Sequence, residues 1–285
     1  MGVGRFIAAN AISGDVMASQ RDRTAEFRAL HGRGNLLVLP NAWDAGSARL
    51  IEDCGATAIA TSSAAFAWAH GYPDGEALPV ATFLPAVAEI LRVVKVPVSV
   101  DSEAGFSADP EGAAQFVSKL IDMGVCGINL EDGKSPPSLL AAKIDAIKKE
   151  AARKGADIFI NARADVYLRK LAAPEMMLGE IIARGKLYAK AGADSFFAPA
   201  VIDTKDMRAI ADAVDLPLNI LVWPGLAPIA ALKAAGVRRV SAGSGTSRAS
   251  NGALRRATKQ LLEEGLYDTM FAEGDGAPNM NTLLS

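Results

Sequence analysis

The chain has 285 residues, of which 50% are hydrophobic and 22% charged, and its formal net charge is −2. This composition supplies a sizeable core and argues against a disordered protein. The near-neutral charge gives no sign of a nucleic-acid-binding surface. No apolar run reaches the roughly 18 residues that a membrane-spanning helix needs. We therefore expect a globular protein with neither nucleic acid nor membrane as a partner.

The cysteines and the first residues indicate the compartment. Cys54 and Cys126 form no CxxC pair, which argues against a zinc site or a disulfide framework. Residues 1–20 contain a short apolar stretch interrupted by Asn10 and Asp15, which is too weak a pattern for a secretory signal. Reduced thiols and a cytoplasmic location are the expectation.

A recurring pattern along the chain predicts the fold. Five times a helical stretch ends in a glycine turn and a short apolar strand follows, at 54–63, 123–132, 154–163, 191–200 and 235–244. Glycine supplies the left-handed residue that commonly ends a helix. The strands are almost wholly apolar, as expected for a parallel sheet that is covered on both faces.

Eight strands are predicted in all, with amphipathic helical segments between them. They span 35–41, 57–62, 97–102, 127–131, 157–163, 194–199, 217–222 and 238–242. Regular alternation of strand and helix favours an α/β protein of the (β/α)8 TIM barrel type. An open doubly wound sheet uses the same units, but the even spacing and the lack of GxGxxG after the first strand favour the barrel. We expect one domain over 1–285, with the barrel at about 35–250 and extra C-terminal helices in an extension at 251–285.

The polar residues that end the third, fourth and fifth strands indicate a metal site, since barrel active sites lie at the C-terminal ends of the strands. Asp101 and Glu103 are two positions apart, which in a strand puts both on one face. Glu131 ends the neighbouring strand, about 4.8 Å away. Three converging carboxylates suit a hard divalent cation, Mg2+ or Mn2+. Arg163 adds a cation that could bind a carboxylate.

Two alternatives remain open for these residues. Each acidic residue, taken alone, is equally compatible with a barrel-end position neutralised by lysine or arginine. The hydroxyl residues Thr61, Ser62 and Ser63 follow the second strand, where they would bind a substrate or simply cap the next helix. Asp44 is interpreted as a helix cap, His31 as a surface residue at the opposite end of the barrel, and Cys54 as buried.

From about Leu37 to Ala249 the chain resembles the isocitrate lyase and phosphoenolpyruvate mutase superfamily. The segments that carry the resemblance are LPNAWDAGSARLIEDCGATAIATSS, GYPDGE, VPVSVDSEAGFS, GVCGINLEDG, INARADVY and AGADSFFAPA. The resemblance implies a (β/α)8 barrel whose last barrel helix is exchanged between subunits. It also implies a homodimer or homotetramer.

The resemblance further implies a role for individual residues. Asp101 would ligate Mg2+ most directly, Glu103 and Glu131 would hold it largely through bound waters, and Asp74 would belong to the outer part of the site. The substrate, a small 2-oxo acid, would contact Ser62, Ser63 and Thr61 through its carboxylate and would pair with Arg163. Asn219 and Arg248 are looser correspondences.

The segment after Glu131 separates this chain from the best-known members of the superfamily. The lyases that cleave isocitrate or methylisocitrate carry a Lys-Lys/Arg-Cys-Gly-His motif there, whereas this chain reads DGKSPPSLLAAK, without cysteine or histidine. Isocitrate lyase activity is therefore not expected. The longer gating loop of the mutases is absent as well. His70, four residues before Asp74, is a candidate acid.

Three functions remain compatible with the sequence. The first is a Mg2+-dependent lyase that cleaves or decarboxylates a small 2-oxo or 2-hydroxy dicarboxylate, such as oxaloacetate or a substituted malate. Its catalytic residues would be Arg163, Glu131 and His70. The second is an enzyme that breaks a P–C bond, such as a phosphonopyruvate hydrolase or a mutase. The third is a protein that binds a 2-oxo acid without turning it over.

Overall fold

The computed structural model describes residues 14–32 and 34–285, and within them nine parallel strands form one sheet. The strands are β1 (Leu37–Leu39), β2 (Asn41–Ala42), β3 (Ile59–Thr61), β4 (Val98–Asp101), β5 (Gly127–Glu131), β6 (Phe159–Arg163), β7 (Ser195–Phe197), β8 (Leu218–Leu221) and β9 (Val237–Ser241). β1 pairs with β9 and β2 pairs with β3. Only Pro40, which has no N–H to donate, divides β1 from β2. The sheet therefore closes into the predicted (β/α)8 barrel.

Helices surround this sheet and continue beyond it. They are α1 (Gly14–Leu30), α2 (Ala45–Asp53), α3 (Ser63–Ala69), α4 (Val80–Val93), α5 (Pro110–Asp122), α6 (Pro137–Arg153), α7 (Val166–Arg169), α8 (Met177–Ala191), α9 (Thr204–Ala213), α10 (Ile229–Ala234), α11 (Gly245–Glu264), α12 (Asp268–Gly274) and α13 (Met280–Leu283). The predicted cap is confirmed, since the Asp44 side chain accepts from Ser47 N. Asp109 caps α5 in the same way, accepting from Gly112 N. The extra C-terminal helices are present, whereas their exchange between subunits stays a prediction.

Helix α1 closes the N-terminal end of the barrel and was not predicted. The Gln20 amide donates to the carbonyl oxygens of Val125 (3.0 Å) and Asp157 (2.5 Å), at the start of two strands. Phe27 is fully buried and lies edge-on to Phe159, with ring centroids 5.2 Å apart. Residues before 14 lie outside the described part of the chain. Most of the segment 1–20, for which we predicted that no secretory signal is present, is therefore not described.

Two minor predictions were wrong. His31 is buried rather than exposed, because it stacks on Phe159 at 4.4 Å and its Nδ1 bonds to the Phe27 carbonyl. Cys54 is exposed rather than buried, since it follows the last residue of α2 at the C-cap position. None of the described helices combines the length and the apolar character needed to cross a lipid bilayer.

The interior of the barrel is polar at mid-height. Asp101, Asn129 and Asn161 are aligned across β4, β5 and β6. The Asn161 amide donates to Asn129 Oδ1 (2.8 Å), and Ser195 Oγ donates to Asn161 Oδ1 (2.6 Å). The apolar core lies instead between the strands and the helices, where the larger cluster of buried residues is found.

Candidate active site

A cavity of about 300 Å3 opens at the C-terminal ends of the strands. Its polar wall contains ten side chains from strand ends and loops: Asn41, Ser62, Ser63, Asp74, Asp101, Asn129, Arg163, Ser241, Ser244 and Arg248. Leu168, Phe197 and Trp223 contribute apolar surface. Larger hollows lie on the outside of the barrel, among them one lined from α5 and α6 and one from α2, α4 and His70. The cavity at the strand ends is the candidate active site, because it gathers charged groups where parallel barrels place their chemistry.

Asp101 presents one unpaired carboxylate oxygen at this cavity. It is the last residue of β4 and only 8% exposed. Its Oδ2 accepts a hydrogen bond from Ser63 N (2.9 Å), and its backbone N–H donates to Thr61 Oγ1 (2.8 Å). Its Oδ1 is buried without a hydrogen-bond partner among the described residues. A buried carboxylate oxygen without a partner is costly, so this atom is suited to a ligand.

Glu103 does not share a face with Asp101, contrary to the prediction. β4 ends at Asp101, and Glu103 has a φ of +48°, so it lies in a turn where strand alternation no longer applies. Its Oε2 accepts from Glu76 N (2.6 Å), while Glu76 Oε1 accepts from Phe106 N (2.7 Å). Burial and the nearby charge of Asp101 raise the pKa of Glu103 to about 7.

Lys143 supports the same turn from below and was missed by sequence reasoning. Its ammonium group donates to the carbonyl oxygens of Ala104 and Ser107, both at 2.7 Å. Its position in the middle of α6 did not indicate a role near the cavity, since a lysine on a helix usually faces solvent.

Glu131 is paired with arginine side chains of the neighbouring segment. β5 and β6 align Glu131 with Arg163, and Arg163 Nη1 lies 2.5 Å from Glu131 Oε2. Arg169 Nη2 lies 3.7 Å from Oε1, and Arg163 Nε donates to Asp165 Oδ1 at 2.6 Å. Burial raises the pKa of Glu131, and the charge of Arg163 opposes that shift. The Glu131–Arg163 pair is thus a fixed dipole beside the cavity.

Asp132 holds this arrangement from behind the strands. It is buried, and its Oδ1 accepts from Asp165 N (2.9 Å). Its Oδ2 accepts from Arg184 Nη1 (2.8 Å) and from the Tyr188 hydroxyl (2.6 Å). Asp132 therefore fixes Asp165, and Asp165 in turn fixes Arg163. The GINLEDG segment contained this residue, but its partners on α8 are more than fifty positions away and could not be read from the sequence.

The other predicted site residues fall into two groups. Ser62, Ser63, Asp74 and Arg248 line the cavity as expected. Three predicted residues, Thr61, Asn219 and His70, do not.

Each of these three side chains is directed elsewhere for a local reason. The Thr61 hydroxyl is engaged by the backbone of Asp101. Asn219 lies fully buried inside the barrel, where its Oδ1 accepts from Ser241 Oγ (3.2 Å). His70 is placed at the end of α3, with its Nδ1 bonded to the carbonyl of Phe66 (2.9 Å), and it lines the outer hollow against α4. The structure thus gives no support to His70 as the acid.

The residues at the cavity were tested for a fit to a divalent cation. Among the described residues, no three side chains of His, Cys, Asp or Glu come close enough to ligate one ion together. Asp101, Glu103 and Glu131 therefore do not form a set of three direct ligands, and the expectation that Glu103 and Glu131 hold the ion largely through bound water stays a prediction. The free Oδ1 of Asp101, with two further buried carboxylates nearby, fits an ion that has one direct protein ligand and is otherwise held through water, as Mg2+ commonly is.

Fold and site together define a (β/α)8-barrel enzyme with an acidic pocket at the ends of its strands. The family model for phosphoenolpyruvate phosphomutase matches residues 27–262. The chain therefore belongs to the isocitrate lyase and phosphoenolpyruvate mutase superfamily, a group of lyases and mutases.

Two relatives and two solved structures show the range of this superfamily. The Mycobacterium tuberculosis (H37Rv) protein Rv1998c is 38% identical over 222 residues, covering 76% of this chain and 81% of that protein. An oxaloacetate decarboxylase of Pseudomonas entomophila is 29% identical over 229 residues, covering 78% and 79%. A Burkholderia cenocepacia J2315 crystal structure, named as a candidate phosphonomutase, has a TM-score of 0.80 at 37% identity, covering 85% of this chain and 99% of that one. A phosphonopyruvate hydrolase crystallised with oxalate and Mg2+ has a TM-score of 0.78 at 21% identity, covering 92% and 94%; that likeness shows the fold.

Proposed function

We propose that the protein is a Mg2+-dependent lyase that cleaves or decarboxylates a small 2-oxo or 2-hydroxy dicarboxylic acid, such as oxaloacetate or a substituted malate. The observation that carries the proposal is the buried Oδ1 of Asp101, which has no hydrogen-bond partner in the described part of the chain, in a cavity that also contains the guanidinium of Arg163. A carboxylate oxygen for a cation and a fixed cation for an anion thus lie in one small space. The similarity to an oxaloacetate decarboxylase supports the reaction class.

Different residues of the chain would bind the cation and the substrate. Asp101 would hold Mg2+ directly, and Glu103 and Glu131 would hold it through water. When bound, the ion would supply a Lewis acid for the 2-oxo group of the substrate. Arg163, kept in place by Glu131 and Asp165, would direct its remaining N–H groups at the substrate.

The cavity walls would set orientation and exclude water. Ser62 and Ser63 would donate to a substrate carboxylate, and Arg248 at the rim would attract the second acidic group. Leu168, Phe197 and Trp223 would displace water from the apolar side. The negative charge left on the substrate when its C–C bond breaks would then face cationic and hydrogen-bond-donating groups. These groups would already be in position before the bond breaks.

The 37% identity to a candidate phosphonomutase supports a second function, the cleavage of a P–C bond in a phosphonate analogue of the same acid. The same cavity suits it, because a phosphonate group would bind to Arg163 and Arg248 as a carboxylate does. The shortened segment after Glu131 makes this the second choice.

One experiment separates these functions. The purified protein is incubated with oxaloacetate, substituted malates and phosphonopyruvate, with Mg2+ or with a chelator, and the products are followed by NMR. We expect turnover of a C–C substrate that requires Mg2+. The Asp101→Asn variant should lose activity by about a hundredfold or more. Asp109→Asn, the same substitution at an exposed helix cap, is the matched control and should be unaffected.

The other outcomes would contradict the proposal in distinct ways. Turnover of phosphonopyruvate alone would select the P–C enzyme. Binding of Mg2+ and a 2-oxo acid by calorimetry, with no product from any substrate, would select a binding protein.

A further inference from the structure

Arg239 is a cation buried inside the barrel, and no carboxylate pairs with it among the residues that the structure describes. It lies on β9 and is fully buried. Its Nη2 donates to Asn129 Oδ1 (3.3 Å), and its guanidinium lies 6.0 Å from the centre of the Phe27 ring. Its Nε and Nη1 have no hydrogen-bond partner among the described residues.

This arrangement is unfavourable for folding. Moving a guanidinium from water into the protein interior without an ion-pair partner is unfavourable in free energy. An apolar side chain of similar size would not carry this desolvation cost. Burial lowers the pKa of Arg239 to about 9, and the charge of Asp101 opposes this shift. The side chain therefore remains protonated at neutral pH, and the barrel retains a charge that does not help it to fold.

The position of Arg239 connects it to the candidate active site. Its partner Asn129 lines the cavity and is aligned with Asp101 in the sheet. Asn129 Oδ1 accepts from both Arg239 and Asn161, so the oxygen of this amide has two donors, and no described residue accepts a hydrogen bond from its NH2 group. The guanidinium of Arg239 is thus separated from the cavity by the side chain of Asn129. By holding the amide oxygen, it leaves the NH2 group of Asn129 to contact a ligand.

We propose that Arg239 is a positioning residue for the proposed reaction: a cation under the cavity that strengthens the binding of the anionic 2-oxo acid and of the enolate formed from it, and that orients Asn129 toward them. This inference rests on the proposed function. A fixed positive charge acts with opposite sign on the two ligands of the site, since it attracts the anion and repels Mg2+. Replacing a residue that only fills space would not shift the affinities for Mg2+ and for the anion in opposite directions.

The test measures the two ligands separately in the full-length protein. Calorimetry gives the affinity for Mg2+ alone, and then for oxalate, a mimic of the enolate, at saturating Mg2+. In Arg239→Met we expect Mg2+ to bind about tenfold more tightly and oxalate about tenfold more weakly. Arg239→Lys should keep both affinities near those of the wild type. Arg238→Met is the matched control, because it removes the same charge from the neighbouring position, where the side chain lines a hollow outside the barrel interior.

Thermal unfolding completes the experiment. The Met variant should unfold at a temperature no lower than the wild type, since it loses an unpaired buried charge. If it does not fold, Arg239→Gln gives the same neutral change with a polar side chain, and the same opposed shifts are expected. Unchanged affinities, or affinities that fall together with stability, would overturn the inference while the proposed function stands. Failure of the wild type to bind Mg2+ and oxalate would overturn both.

Discussion

Glu103 is the residue at which pH should act most directly on this protein. Its pKa in the folded chain, about 7, lies above the ordinary carboxyl value of 4.5. The folded protein therefore keeps a proton that the unfolded chain loses. The corresponding stability is fully present below about pH 4.5 and is lost as the pH rises through about 7. Since the shift comes from burial and from Asp101, a bound cation should reverse it.

The expected result is a melting temperature of the metal-free protein that falls between pH 5 and pH 8. Glu103→Gln should make this dependence less steep, because a neutral amide does not titrate, while Glu131, whose pKa burial also raises, contributes the remainder. Mg2+ should raise the melting temperature more at pH 8 than at pH 6. Scanning calorimetry at constant ionic strength measures all three. An identical slope in wild type and variant would show that another group is responsible.

Asp132 should be the most costly single charge to remove. Asp132→Asn would leave the buried Arg184 with only the more exposed carboxylate of Glu180 as a partner, and breaking a buried pair on one side costs about 3–5 kcal/mol. The matched control is Asp145→Asn, which removes one exposed partner of Lys149 and should cost about 0–1 kcal/mol. Urea unfolding measures both. Equal losses in the two variants would mean that the Asp132 network does not support the fold.

Individual residues show where sequence reasoning sufficed for the site and where it did not. Asp101, Ser62 and Arg163 end or follow strands, and this placement alone brought them to the cavity. Glu103 was misplaced because its positive φ, unusual for a residue with a side chain, interrupts the alternation of the strand. Arg239 was overlooked because a charged residue within a strand shows no sign that its side chain points into the barrel.

Among the elements, α1 shows why one part of the barrel escaped prediction. The strands and outer helices have the apolar periodicity that sequence reasoning detects. The side of α1 that faces the barrel carries instead the buried residues Gln20, Thr24 and Phe27, and His31 continues this face one residue beyond the helix. Of these four, only Phe27 is apolar. The polar members bond to carbonyl groups at the strand starts or to the helix itself. A helix that packs by hydrogen bonds has no hydrophobic pattern.

Truncating Phe27 tests whether α1 belongs to the cooperative barrel. Phe27→Ala should destabilise the protein by about 3–5 kcal/mol, because the ring is fully buried against Phe159. Phe27→Leu, which keeps most of the volume, should cost less than about 1.5 kcal/mol. The comparison is made by chemical unfolding monitored by circular dichroism. Similar small losses for both would indicate that α1 is only loosely attached.

For the whole molecule, the C-terminal helices leave an apolar surface uncovered in the single chain. Seven large side chains of α11, α12 and their connection are at least 44% exposed: Leu254, Leu261, Leu262, Leu266, Tyr267, Met270 and Phe271. A surface of this kind marks a protein contact. It agrees with the prediction that the protein is a homodimer or homotetramer, in which this arm would pack on a neighbouring copy.

The double variant Leu262→Glu and Phe271→Glu should therefore dissociate into monomers. Light scattering after size exclusion should show the mass falling to that of one chain, because two charges would be buried at the contact. Met176→Glu changes an equally exposed apolar residue outside the arm and should leave the mass unchanged. A wild-type protein that is already monomeric would contradict the prediction.

The contacts between Glu76, Glu103 and Phe106 also limit how the pocket can open. The segment after β3 and the segment after β4 each accept an amide hydrogen from the other. Moving either segment away from the other would break both hydrogen bonds, so we expect the two segments to move together. A substrate would thus enter through one concerted displacement of the rim, and a change at Glu76 would be felt by the carboxylate of Glu103 without touching the floor of the pocket.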